Sequence, residues 1–251
     1  MRVRTFVTLA FASVFLLAGG TCLPLVDNTK RQPTPGRVLA IVLMEPSADR
    51  TVAQGTSILI DRSAGNLTGK PATVTLSVES RKDFARTDLE QGIALDGTGG
   101  HGSLTWDTEK FAGPYRALAM IATDSMTNQD FSTGLITVDA RPTFEFTAPT
   151  GDVTFHPATD PPLQIAWVGG DESATVQIGL DPDTDHTSGN EVFILERALP
   201  VQSAADSLAW DGNDTSGTQV FPDTYNLFAV ATDNVNPTVT VDGLGQITIV
   251  R

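Results

Sequence analysis

One cysteine in 251 residues is the first thing this chain has little of. No internal disulfide can form, so stability has to come from burial, which is comfortable in disulfide-free domains of roughly 100 residues. Basic residues are also scarce: 16 Lys and Arg stand against 30 Asp and Glu, a formal net charge of −14. A field of that sign repels phosphate backbones and anionic lipid surfaces, which excludes nucleic acid as a partner. The one long apolar run, near the N-terminus, is short for a bilayer-spanning helix, and no other segment is long or apolar enough. Catalytic signatures are missing too. There is no G-x-S-x-G, no H-E-x-x-H and no cysteine pair, and His101, His156 and His186 lie far apart without metal-ligand spacing. The chain is therefore expected not to be an enzyme, a carboxylate-dependent hydrolase being the weak alternative among so many acids. Gly97-Thr98-Gly99-Gly100-His101-Gly102 formally matches G-x-G-x-x-G, but it leads into strand-like Ser103–Trp106 where a pyrophosphate site needs a helix.

What is there begins with Arg2 and Arg4, followed by an apolar run from Phe6 to Ala18. A short positive segment before an apolar run of roughly 7–15 residues is the layout of a secretory signal. Gly19-Gly20-Thr21-Cys22 follows, and Cys22 in that place resembles the lipidated cysteine of bacterial lipoproteins, which are cut just before the Cys. That family favours Leu at −3 and a small residue at −1, where this chain has Gly19 and Thr21. The resemblance implies a signal peptide over 1–21, a lipid anchor on Cys22 and an exported, membrane-anchored protein of the cell envelope, periplasmic or at the cell surface. The alternative is an ordinary cleaved signal with an incidental Cys22, which would then be a free thiol in an oxidising compartment. Residues 22–37 hold Pro24, Pro33 and Pro35 among polar residues, the composition of a flexible tether.

From Val38 on, short β-branched and aromatic runs recur between Gly, Pro, Asp and Asn clusters, the pattern of an all-β chain. Seven strands are expected in the second half, at 144–147, 163–168, 174–180, 192–196, 207–210, 225–232 and 246–250, enough for one β-sandwich. The halves also repeat. Leu104-Thr-Trp106-Asp107 matches Leu208-Ala-Trp210-Asp211, and Ile136-Thr-Val138 matches Ile247-Thr-Ile249. Tyr115 followed by Ala122-Thr-Asp124 matches Tyr225 followed by Ala231-Thr-Asp233, and Glu45-Pro46-Ser47 matches Ala148-Pro149-Thr150. The offset drifts by a few residues at loop positions, as two copies of one fold would show. Two tandem immunoglobulin-like β-sandwich domains are expected, at 38–140 and 141–251. The short junction Asp139-Ala-Arg141-Pro142-Thr143 predicts that they stack end to end.

The run from Trp210 through Asp211, Gly212, Asp214, Gly217 and Val220 to Tyr225 resembles the W-D-G-x-D-x-x-G-x-x-V-x-x-G-x-Y pattern of bacterial immunoglobulin-like domains of the flagellar-hook-capping type, with Asp223 in place of the last Gly. The first copy keeps Trp106-Asp107 and Tyr115 with a shorter loop between them. The resemblance speaks to fold, not to role. Trp106 and Trp210 are expected to fill cores. Gly212 and Gly217 should take positive φ in a tight excursion, and Tyr115 and Tyr225 should form tyrosine corners.

One segment suggests ligand chemistry. Asp181, Asp183 and Asp185 alternate in an extended loop that ends at Glu191, an arrangement able to gather oxygen ligands around Ca²⁺. It is not an EF-hand, since His186 stands where that loop needs Gly. The other reading is a solvated turn. The whole suggests a structural, adhesive or ligand-binding envelope protein whose partner is an envelope protein or a glycan. An accessory subunit of an extracellular enzyme or secretion complex is the alternative.

Overall fold

The computed structural model describes residues 39–95 and 98–251. The signal segment 1–21, the anchor Cys22 and the tether 22–37 lie outside the described residues. Among the described residues every regular element is a strand. The first copy contains β1 (Leu39–Glu45), β2 (Arg50–Ala53), β3 (Ser57–Asn66), β4 (Thr73–Ser80), β5 (Arg86–Ala94), β6 (Gly99–Asp107), β7 (Gly113–Ala122), β8 (Thr127–Phe131) and β9 (Ile136–Asp139). The second contains β10 (Thr143–Ala148), β11 (Val153–Phe155), β12 (Leu163–Gly170), β13 (Thr175–Asp181), β14 (Val192–Ala198), β15 (Ala204–Trp210), β16 (Thr224–Thr232) and β17 (Val239–Ile249).

In each copy a three-stranded sheet faces a larger one. The small sheets run β1-β3-β6 and β10-β12-β15, and the large ones β2-β9-β7-β4-β5 and β11-β17-β16-β13-β14, the same order twice. These are two immunoglobulin-like β-sandwich domains in tandem. Alternation explains which face each strand buries. Along β3, Ile58, Ile60 and Ala64 point inward while Ser57 and Leu59 face solvent. The first strand of each domain leaves the small sheet at a bulge, between Leu43 and Glu45 in one and between Phe146 and Ala148 in the other. Pro46 and Pro149 follow directly, and a residue without an N–H ends the ladder there. The chain then joins the opposite sheet in parallel: Arg50 pairs with Ile136, and Val153 with Ile247.

Three differences from the sequence reading stand out in the second copy. The second copy has eight strands, because β11 is a three-residue parallel strand too short to carry an alternation. The last strand starts at Val239 and not at 246, and β15 starts at Ala204 and not at 207. In the first copy the edge equivalent to β17 is split into β8 and β9, both pairing with β7. The loose strand β8 lies over β1, where Asp130 accepts from the Leu43 amide at 3.0 Å and the Asn128 side chain donates to the Leu39 carbonyl. That covering explains why β1 reads Leu-Ala-Ile-Val-Leu and is buried on both faces.

Two separate cores result, one built from residues between Leu39 and Val138 and one from residues between Phe144 and Ile249. Fully buried Ile, Leu and Phe side chains contribute about 1.5–3 kcal/mol each, which supports both domains without a disulfide. Trp106 sits edge-on to Phe111 and Tyr115, with centroids 5.1 and 5.8 Å away. Trp210 packs on Phe155 at 5.4 Å.

Candidate functional site

The acidic loop lies between β13 and β14. Its carboxylates do not gather. Asp181, fully buried, accepts from the Asp183 amide, Asp183 from the Asp185 amide, and Asp185 from the Thr187 amide and hydroxyl. Glu191 accepts from the Gly189 amide with both oxygens. Each acid folds back on backbone two residues away, a turn geometry that aspartate side chains favour over pointing outward together. Asp183 also accepts from Asn190, and this and its amide bond hold its pKa below the ordinary carboxylate value. The expected calcium ligands Asp181, Asp183, Asp185 and Glu191 are thus spent as turn caps. Among the described residues no group of three or more His, Cys, Asp or Glu side chains converges as a metal site requires.

The loop is fastened by a residue to which spacing gave no role. His186 Nδ1 lies 2.7 Å from Asp181 Oδ2, and Nε2 lies 2.7 Å from Asp242 Oδ1 on β17. The ring stacks on Phe228 at 4.3 Å, nearly parallel. Burial alone would lower the imidazole pKa; hydrogen bonds and charge from Asp242 and Asp181 outweigh it, and the net shift is upward. In its protonated form the imidazole donates through both nitrogens, one to each carboxylate, which is what favours that form here. No nucleophilic hydroxyl is bonded to it, so this is a clamp on the loop and not a catalytic dyad. His156 sits elsewhere, on Asp160, and His101 lies on β6.

The loop between Trp210 and Tyr225 takes the expected form. Gly212 and Gly217 have φ of 96° and 80°, a region costly for any residue with a Cβ. Tyr225 donates from its hydroxyl to the Phe221 carbonyl at 3.0 Å, a tyrosine corner, and Tyr115 makes the shorter version to Ala112 at 3.1 Å. The indole N–H of Trp210 donates to the Asn213 carbonyl at 2.6 Å, whereas that of Trp106 is buried without a partner among the described residues. The G-x-G-x-x-G glycines from Gly99 onward lie in β6, with a strand and no helix beyond them.

The two domains meet through Asn236, in the turn between β16 and β17. Its side-chain oxygen accepts from the Gln54 amide of the first domain at 3.2 Å. Its amide donates to the Ala140 carbonyl at 2.9 Å and to Asp139 Oδ2 at 3.3 Å. Arg141 adds an exposed ion pair to Glu109 at 3.1 Å. Burial, and then the charges of Asp233, Asp171 and Glu172, push the Asp139 carboxyl above its ordinary value. Nothing in the sequence marks Asn236, since its partners lie 96 and 182 residues away.

No protein-family model matches the chain, and no curated protein does either. Solved structures do match. The chain is similar to the fibronectin(III)-like modules of Clostridium thermocellum CbhA, at 14% identity and a TM-score of 0.30, covering 84% of this chain and 94% of that one. It is similar to DIP-gamma IG1+IG2 at 13% identity and a TM-score of 0.38, covering 83% and 97% of the two chains. The BSP domain of a biofilm-associated protein matches at 16% identity and a TM-score of 0.25, over 84% of this chain and 29% of that one. Such values add nothing to the tandem sandwich architecture already described.

Proposed function

We propose that the chain is an exported cell-envelope lipoprotein, held to a membrane through Cys22, whose two sandwiches act as a spacer and binding module and not as a catalyst. The observation that carries this reading is the junction. Asn236 bonds Gln54, Asp139 and Ala140 at once, so the domains are coupled and not merely strung on a linker. A coupled pair holds its loops and strand edges at a set spacing, which is what rigid scaffolds use to present binding chemistry. The tether 22–37 then sets the distance from the membrane.

Expression of the full chain in a bacterium with a radiolabelled fatty acid tests the anchor. The label should travel with the protein into the detergent-soluble membrane fraction, and Cys22→Ser should release an unlabelled protein. Wild-type protein recovered unlabelled outside the membrane fraction would overturn the anchor. A stoichiometric enzyme retained through detergent extraction would replace the spacer reading with that of an accessory subunit.

A further inference from the structure

The repeats can be compared position by position along one flank, where the outer strand of the small sheet approaches the outer strand of the large one. In the first domain Ile58 pairs with Trp106, and further along the same ladder Arg62 pairs with Gly102. In the second, Leu163 pairs with Trp210, and the equivalent pair is Trp167 with Asp206. The second flank is closed. Trp167 is buried, Arg197 from β14 lies over its ring at 5.8 Å, and Arg197 pairs with Asp206 at 2.5 Å.

The first flank is not closed in this way. Arg62 occupies the place of Trp167 and is only 6% exposed. Gly102 occupies the place of Asp206, so the carboxylate that neutralises the guanidinium in the second domain has no counterpart here. The guanidinium lies close under the glycine: a Cβ built there would be 2.9 Å from Nη2 and 3.0 Å from Cζ. Its Nε is buried without a hydrogen-bond partner, and no ion pair joins Arg62 to a described residue. Desolvation lowers its pKa, and Glu90 and Asp61 are near enough to pull it back without bonding it. Natural proteins seldom leave a buried guanidinium nitrogen without a partner.

The strand above it is open. Among the described residues β6 is the last strand of its sheet and pairs only with β3. Gly99, Gly100, His101 and Ser103 are exposed along it, and Gly102 is half-buried. A glycine-rich edge without Lys, Arg, Asp or Glu over Gly99–Ser103 is a template for an added strand.

We propose that β6 docks an extended peptide segment of a partner protein, added as a strand beside Gly99–Ser103, whose Asp or Glu side chain enters next to Gly102 and pairs with Arg62. This rests on the binding-module reading above and names its ligand chemistry. Cross-strand neighbours point to the same face, so a residue opposite Gly102 on an added strand reaches the guanidinium that Gly102 leaves uncovered. A carboxylate meets a guanidinium through two parallel charge-assisted hydrogen bonds, a geometry an amide cannot supply. Because the chain is acidic overall, the segment carries one carboxylate in an otherwise neutral strand; a run of acids would be repelled.

The test uses the full chain and two end-blocked peptides, Thr-Val-Thr-Glu-Thr-Val-Thr and its Gln twin, titrated with chemical-shift and amide-exchange readout. The Glu peptide should bind and protect the amides of β6, and the Gln twin should bind about tenfold more weakly. Arg62→Met should erase that preference. Gly102→Asp, which installs the carboxylate the second domain already has and shifts the tip of Arg62 to admit a Cβ, should erase it too. Equal binding of both peptides, no binding of either, or a preference that survives Gly102→Asp would overturn the proposal. None of these outcomes bears on the fatty-acid label at Cys22, so failure here is distinguishable from failure of the anchor.

Discussion

Trp106 and Trp210 occupy one position in two copies of a fold, both almost wholly buried, and among the described residues only the indole N–H of Trp210 has a hydrogen-bond partner. Trp210 has a carbonyl over its indole N–H because the loop to Tyr225 is long enough to fold back. The shorter loop to Tyr115 leaves Trp106 with an orphan donor. Phenylalanine at either site removes the same part of the ring system. At Trp210 it also removes a hydrogen bond with a net value of about 0.5–1.5 kcal/mol, whereas at Trp106 it removes a donor whose unpaired burial costs about 1–3 kcal/mol. Trp210→Phe should therefore destabilise its domain more than Trp106→Phe destabilises its own, by about 1.5–4.5 kcal/mol. Native-state amide exchange read by mass spectrometry separates the domains, using the slowest amides of β7 for one and β16 for the other. If Trp106→Phe costs as much as Trp210→Phe, the orphan donor is not a penalty and the reasoning fails.

Two further expectations concern the clamp and the junction. A histidine whose folded pKa is raised stabilises fully below its unfolded value of 6.5, and loses that contribution as pH rises through the folded value. Exchange of the amides between Asp183 and Asn190 should therefore quicken as pH rises above 6.5, beyond the intrinsic rate, in the wild type and not in His186→Gln; parallel profiles would contradict the clamp. Asn236→Ala should leave each domain's core exchange nearly unchanged while the domains begin to tumble separately in NMR relaxation; unaltered relaxation would show that the junction is held by something else.

The fold was legible for physical reasons that can be named. Paired Trp-Asp and Tyr positions recur because a core tryptophan and a tyrosine corner are needed in each sandwich, and alternation marks every strand with one wet face. β11 was not legible, because three residues carry no period. The extent of β17 was hidden too, as its first half spells Val239-Thr-Val-Asp-Gly-Leu-Gly245, with glycines that read as a loop. The acidic loop misled in an instructive way. Alternation of Asp181, Asp183 and Asp185 does place them alike along an extended chain, but short acids bond their own backbone before they meet one another. The clamp itself lay beyond reach, since Asp242 comes 56 residues after His186 and meets it only through the pairing of β13, β16 and β17. Arg62 and Gly102 were likewise unremarkable until the second repeat supplied the comparison.

The parallel pairing of β2 with β9 and of β11 with β17 has a mechanical meaning. In each domain it joins a strand near the start of that domain to the strand at its end. Tension applied at the two ends pulls such a pair lengthwise in opposite directions. The hydrogen bonds of Arg50–Ala53 with Ile136–Asp139, and of Val153–Phe155 with Ile247–Ile249, are then loaded together in shear and cannot be peeled one at a time. A chain tethered at one end and gripped at the other would meet force first at these two short patches, and they set the load at which either domain gives way.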